Sequence, residues 1–381
     1  MNPITLLQPP HLVFGNGCAA NCVELFTKRG LRRALLVSTK SVLPQIVPLI
    51  GSLERAGCQI ITAAPVPPEP TLAVFEAALQ EVRAAGAEAV LGIGGGSALD
   101  VAKLLAVLAR GPQSLADILG INRAAGRGLF LVCLPTTAGT GSEVSPNAVV
   151  LDDHEHLKKA AISPHLVPDA AIVDPLLTLS VPPAVTAATG LDALTHCIEA
   201  YANKAAHPIV DQYALPGIRL IAANLVRAVR DGSDLEAREN LALGSLYGGL
   251  CLGPVNTAAV HALSNPLGAQ FRVAHGLANA ILLAPVLEFN LPAAPERYAD
   301  VAVALGAPRN GSAPSTAKLG VERLVQLSRD CRIPRRLAEL GVPRDAIPSL
   351  ARAAMQVTRL LKNNLRPVTE ADALRIYEAA Y

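Results

Sequence analysis

The strongest constraint on what this chain can fold into is a rhythm in its first half. Short apolar runs at 34–37 (ALLV), 60–63 (IITA), 88–93 (EAVLGI) and 129–134 (LFLVCL) alternate with amphipathic stretches such as Leu72–Ala84 and Leu99–Leu108. Runs that lack polar alternation suit strands buried on both faces, and the helical stretches supply the crossovers. The pattern predicts a parallel sheet covered by helices. From about Pro182 the strand signal fades, and Gly, Ala and Leu at helical spacing dominate between breakers near Gly232, Pro254, Pro285, Pro308 and Pro334. The second half is therefore expected to be helical. Between them lies Asp174–Pro183 (DPLLTLSVPP), where Pro175, Pro182 and Pro183 interrupt regular structure. The expectation is an α/β domain over residues 1–183 and an all-α domain over 184–381, since 381 residues exceed the roughly 250–300 at which single cores stop growing. The chain carries no internal repeat and no low-complexity tract.

Composition removes several classes of function. Hydrophobic residues make up 51% and charged residues 17%, enough apolar surface to offset chain entropy, so the chain is expected to fold compactly. With 33 basic and 31 acidic residues and no basic or aromatic cluster, nucleic acid is not an expected partner. Seven cysteines, an odd number without paired spacing, point to a reducing cytoplasm rather than a disulfide framework. The opening MNPITLLQPPHLVFGNG does not read as a signal peptide. From Asn240 to Leu287 the only charge is Arg272, long enough for a bilayer span. The stretch nevertheless carries Asn256, His261, Asn265, His275 and Asn279, which lipid would penalise, so buried helices and no membrane are expected.

Two strand-to-loop junctions suit a ligand. After EAVLGI come Gly94, Gly95, Gly96 and Ser97, then a helical stretch carrying Asp100 and Lys103. Small residues let a backbone approach a ligand closely, and the helix N-terminus behind them presents unpaired N–H groups to a pyrophosphate. The spacing is not G-x-G-x-x-G, and a tight turn without a ligand accounts for these glycines equally well. The second junction follows LFLVCLP: Thr136, Thr137, Ala138, Gly139, Thr140, Gly141, Ser142, Glu143. Two such loops at the ends of parallel strands form a ligand crevice.

The helical half holds a set of metal-ligating side chains. Asp192 and His196 stand four apart and share a helix face, and His261 and His275 lie in the nearly chargeless stretch. Each alone also fits a hydrogen-bonded core residue. Together, three imidazoles and a carboxylate suit a divalent transition ion such as iron or zinc.

The motifs GGGSALDVAK at 94–103, PTTAGTGSEV at 135–144, ATGLDALTHCIEAY at 188–201 and VHALSNPLGAQFRVAHGLANAILL at 260–283 together resemble the iron-containing alcohol dehydrogenase family. The resemblance runs in order through about residues 12–290. It implies an N-terminal dinucleotide-binding α/β domain with a parallel sheet, an all-α C-terminal metal and substrate domain in a dehydroquinate synthase-like arrangement, and a homodimer. It implies Asp192, His196, His261 and His275 as ligands of Fe2+, with Zn2+ as the alternative. Gly94, Gly95, Gly96, Ser97 and Asp100 match the pyrophosphate loop and the helix behind it. Thr136, Thr137, Thr140 and Ser142 match the loop beside the nicotinamide ribose. Asn265 and His275 match positions beside the reacting atoms.

Two departures matter. Many members have a histidine one turn after His261, where this chain has Asn265, which cannot exchange a proton. Where NAD-preferring members place an aspartate after the first strand, this chain has Ser38, Thr39 and Lys40, so NAD and NADP both remain open. The implied activity is hydride transfer between a nicotinamide dinucleotide and a small alcohol or aldehyde. The alternatives are a glycerol-type dehydrogenase, a hydroxyacid–oxoacid transhydrogenase or a maleylacetate reductase on the same scaffold, or a non-catalytic dinucleotide-binding protein.

Overall fold

A computed structural model describes residues 3–152 and 157–381. The first part contains β1 (His11–Phe14), α1 (Asn21–Lys28), β2 (Arg33–Ser38), α2 (Leu43–Arg55), β3 (Gln59–Thr62), α3 (Leu72–Ala85), β4 (Ala89–Gly94) and α4 (Gly96–Leu108). It continues with α5 (Leu115–Ile118), β5 (Gly120–Ile121), β6 (Phe130–Pro135), β7 (Asn147–Asp152), β8 (Leu157–Ile162) and β9 (Ala170–Val173). The second part is helical: α6 (Pro183–Tyr201), α7 (Pro208–Arg230), α8 (Leu235–Leu252), α9 (Ala259–Phe271), α10 (His275–Asn290), α11 (Pro295–Ala304), α12 (Ala313–Asp330), α13 (Ile347–Met355), α14 (Thr358–Leu361) and α15 (Glu370–Ala379). The chain divides into two compact units. One comprises Leu7–Thr137 with Gly141–Ser180; the other comprises Val181–Tyr381 with residues 3–6 and, unexpectedly, Ala138–Thr140.

In the first unit six parallel strands are ordered β1-β9-β6-β4-β2-β3. The four strands expected from the apolar runs are β2, β3, β4 and β6. Alternate residues serve opposite faces: Leu35, Val37, Val90 and Leu131 pack under α3 and α4, whereas Ala34, Leu36, Leu91 and Val132 pack with α1 and α2. Burial on both faces explains why β2, β4 and β6 read as unbroken apolar runs. Helix α4 lies so close to β4 that a Cβ on Gly94 would stand 2.8 Å from the Cβ of Ala98. A three-stranded sheet, β5-β8-β7, and strands β1 and β9 add to what the sequence pattern showed.

Taken from β2 onward, the sheet has the order 2-1-3-4-5, whose direction of winding reverses between β2 and β4. In such folds the ligand crevice opens beyond the carboxyl ends of the strands flanking that reversal. Those ends are Ser38–Lys40 and Gly94–Ser97.

The second unit has one apolar core to which α6, α7, α9, α10, α12, α13 and α15 contribute. Pro285, expected to break a helix, lies inside α10 instead. A mid-helix proline costs about 3 kcal/mol. Burial of Ala278, Leu282, Leu283, Val286 and Leu287 offsets it. The stretch His275–Ala293 is long and apolar enough to cross a bilayer by length and composition, but more than half of it is buried within the protein.

Lys103 on α4 is wholly buried in the first unit and sits beneath the chain segment entering β7. Its ammonium donates to the Ser142 carbonyl at 2.9 Å, to the Ser142 and Ser145 hydroxyls at 3.2 and 3.4 Å, and to the Asn147 carbonyl. Asp100, one turn earlier, lies 4.0 Å away. Burial pushes the Lys103 pKa down, and Asp100 opposes that fall. Lys103→Met leaves Asp100 and these oxygens without their cation, so it should destabilise the unit by about 3–5 kcal/mol, measured as a lower urea midpoint with an unchanged slope.

Candidate functional site

Three helices of the second unit converge on one carboxylate. Asp192 and His196 come from successive turns of α6, His261 from the first turn of α9, and His275 opens α10. Asp192 Oδ1 lies 3.9 Å from His196 Nε2, 3.7 Å from His261 Nε2 and 3.7 Å from His275 Nε2. One donor atom each from Asp192, His261 and His275 falls within 4.8 Å of the others. The rings of His196 and His261 stack at 4.8 Å, and those of His261 and His275 meet at 5.2 Å with a 59° tilt.

Local sequence explains the convergence. Helix α9 ends on Arg272 in the left-handed conformation (φ 54°), with the Arg272 and Val273 amides turned back to Gly268 and Leu267. That tight stop lets α10 begin at His275. Gly276 then brings α10 against α6: a Cβ there would stand 2.4 Å from the Ala188 carbonyl oxygen.

The electrostatics favour a cation. Burial pushes the Asp192 pKa up, but the three imidazoles overcome it and hold the carboxyl well below its usual range. Burial pushes His261 down, yet Asp192 and Glu199 outweigh it and its pKa rises to about 9. Burial lowers His196, with Asp192 opposing. Two buried carboxylates therefore retain positive charge in this cluster, whether it arrives as a proton or as an ion.

The fully buried Asn279 tests the fit of a metal. Its Nδ2 donates to Asp192 Oδ1 at 2.7 Å and lies 3.2 Å from Nε2 of both His261 and His275. Which of those imidazole nitrogens accept depends on the tautomers, and Asn279 Oδ1 has no partner among the described residues. A divalent ion ligated by a carboxylate and imidazoles satisfies these donors together, so the residues fit the metal that the resemblance implied.

Two residues here were not singled out in the sequence, Glu199 and Asn279. Glu199 Oε2 lies 2.6 Å from His261 Nδ1. Spacing carried the signal: Glu199 is seven residues beyond Asp192, and Asn279 four beyond His275, each on the same helix face as that residue. Asn265 lies one turn beyond His261, half-buried, and among the described residues its side chain makes no hydrogen bond.

In the first unit, Gly95 precedes the first turn of α4 in extended conformation without a side-chain cap, so the N–H groups of Gly96 and Ser97 open the helix. Thr137 adjoins Gly95, and the Thr136 amide donates to the Gly94 carbonyl at 3.0 Å. Thr140 falls in the short segment grouped with the helical unit. Three expected site residues use their side chains inside the protein. Ser38 donates its hydroxyl to the Ile93 carbonyl at 2.7 Å, and Asp100 accepts from the Ser142 hydroxyl and the Val149 amide. Burial pushes the Asp100 pKa up, opposed by Lys103. At the end of β2 this leaves Thr39, partly exposed, and Lys40, exposed.

Comparison with known proteins agrees with this geometry. Residues 9–175 match the family described as iron-containing alcohol dehydrogenase, and residues 186–381 match the Fe-containing alcohol dehydrogenase family, C-terminal. The chain is 40% identical over 389 residues to long-chain-alcohol dehydrogenase 1 of Geobacillus thermodenitrificans, covering 100% of this chain and 98% of that one. It is 32% identical to lactaldehyde reductase of Escherichia coli, covering 97% of each. The crystal structure of a 1,3-propanediol oxidoreductase superposes with a TM-score of 0.96 at 34% identity over the full length of both chains. The chain belongs to the iron-containing alcohol dehydrogenase family, and it is an oxidoreductase acting on alcohols and aldehydes.

Gly276→Ala should force α10 away from α6 and carry His275 off Asp192. A misplacement of about 1 Å lowers turnover on the order of 100-fold. Steady-state rates together with metal content per chain check it, and a variant with normal values of both would show that this helix contact does not position the site.

Proposed function

We propose that this chain is a metal-dependent, NAD(P)-linked alcohol dehydrogenase and aldehyde reductase, with Asp192, His196, His261 and His275 holding one Fe2+ or, alternatively, Zn2+. The observation that carries this reading is the convergence of three imidazole Nε2 atoms on one buried carboxylate oxygen, at 3.7–3.9 Å. When bound, the ion supplies Lewis acidity to an alcohol or carbonyl oxygen, and the dinucleotide supplies the hydride acceptor or donor.

The chain's own residues bind and orient. Among the four side chains, His275 is the most accessible, at 29% exposure against 3–7% for the others, so the open side of the cluster faces it. Asn265 offers an amide one turn from His261 that can hydrogen-bond a ligand but cannot titrate. The N-terminus of α4 suits the pyrophosphate, and the fold's ligand crevice at the β2 and β4 ends supports the same assignment. The small substrates that the lactaldehyde and 1,3-propanediol relatives are named for support a small alcohol or aldehyde here. Seven free cysteines fit a reducing cytoplasm, and the apolar edge strand β1, with Leu12 and Phe14 exposed, supports a homodimer.

The test combines metal dependence with a substrate panel. Purified protein should carry about one divalent ion per chain, lose activity to a chelator and regain it with Fe2+. Full activity in rigorously metal-free protein overturns the reading. A series of aldehydes, from short hydroxyaldehydes to long alkanals, run with NADH and NADPH then defines the substrate.

Cofactor choice gives a separate test at the end of β2, where no carboxylate repels a 2′-phosphate. NADPH should be used at a rate comparable to NADH, and Thr39→Asp should shift preference toward NADH by about tenfold, equivalent to about 1.4 kcal/mol of repulsion. Strong rejection of NADPH by the wild type would show that the strand end does not govern this choice.

A further inference from the structure

Helix α9 begins without a cap of its own. The residue before it is Ala258, which has no side-chain acceptor, yet the helix start is buried and its N–H groups require partners. Glu199, on α6, supplies them: its carboxylate accepts from the Ala258 amide at 3.0 Å and from the Val260 amide at 2.6 Å. Oε2, which takes the Ala258 amide, also meets His261 Nδ1 at 2.6 Å. Around it Asn203 donates to the Glu199 carbonyl at 3.0 Å and to the Asn256 carbonyl at 3.2 Å, tying the approach to α9 to the end of α6.

A carboxylate beside Nδ1 accepts a hydrogen bond from Nδ1–H and so keeps the ring proton there, which leaves Nε2 as the lone-pair donor, and Nε2 is the atom that faces Asp192. The same contact increases the electron density the ring can offer a ligand and fixes the plane in which it offers it. Resting on the reading of this cluster as a metal site, the geometry points to Glu199 as a positioning residue for the metal, fixing the tautomer and orientation of His261 through the carboxylate that also holds the start of α9. One side chain thereby couples correct docking of a helix to a competent ligand set.

The test is titration of metal-stripped, full-length protein with Zn2+ against a chromophoric chelator, with the Co2+ absorption spectrum as a report on ligand geometry. Glu199→Gln is the decisive variant. Its amide oxygen, in the place of Oε1, can still accept from the Val260 amide, but the charge is gone and its NH2, in the place of Oε2, donates to Nδ1, placing the imidazole proton on Nε2 instead and leaving the Ala258 amide without its acceptor. Zn2+ affinity should fall by about 10–100-fold, the Co2+ bands should change, and the unfolding midpoint of the metal-free protein should fall by less than that of Glu199→Ala, because the Val260 amide keeps its acceptor. Glu199→Ala should lose both metal affinity and stability, and should it fail to fold, Glu199→Gln alone decides. If Glu199→Gln binds Zn2+ as the wild type does, with an unaltered Co2+ spectrum, Glu199 is only a helix cap and the inference is overturned while the metal site stands. If the wild type itself binds no Zn2+, the metal reading falls and this inference falls with it.

Discussion

A carboxylate removed from water must be neutralised, and Asp192 is buried in the middle of a helical core. The cost of leaving such a charge unpaired is several kcal/mol, larger than any single packing contact around it. The surrounding helices are arranged to meet that requirement. Two turns of α6 carry Asp192 and His196, the tight left-handed stop at Arg272 lets α10 begin with His275, and Glu199 anchors the helix that carries His261. The result concentrates ligands whose unmet demand is for positive charge. Packing and chemistry thus impose the same condition on this unit: the helices must close around a cation.

The sheet-containing unit solves the opposite problem. Its buried charge is a cation, Lys103, surrounded by carbonyl and hydroxyl oxygens of the segment Ser142–Asn147, with Asp100 beside it. That network fixes the chain leaving β6 and entering β7 without placing a carboxylate at the end of β2. The strand ends at the reversal of winding consequently present small residues, backbone amides and Lys40, an environment suited to phosphate oxygens. Asp100 and Ser142, expected at the cofactor, are bonded to each other, and Asp100 also accepts from the Val149 amide, so both are tied into the loops leading to β7.

How much of this the sequence revealed follows from burial and length. Strands β2, β4 and β6 were legible because burial on both faces writes them as apolar runs, and β3, a partly exposed edge strand, because Ile60 and Ile61 stand together; β1 is a largely exposed edge strand of four residues and β5 spans two. The clustering of Asp192, His196, His261 and His275 was legible because polar residues stand out in apolar helices. Glu199 was not, since a glutamate near a helix end ordinarily reads as a solvated residue, and its role depends on a partner 62 positions away. Pro285 misled because propensity describes an isolated helix, and here tertiary packing carries α10 through it. The grouping of Ala138–Thr140 with the helical unit had no local signal at all.

The position one turn beyond His261 shows how the same arrangement constrains proton movement. Asn265 is half-buried and uncharged, and an amide neither takes nor gives a proton near neutral pH. His261 is committed at Nδ1 to Glu199, and His196 and Asp192 are buried. Neither His261 nor Asn265 on α9 is therefore free to act as a general acid or base, and of the clustered side chains only His275, on α10, is partly exposed. Oxidation of an alcohol releases one proton for each hydride transferred, so that proton has to leave by a route that does not run through the side chains of His261 or Asn265. Helix α9 then acts chiefly as a support whose task is to position His261 and Asn265.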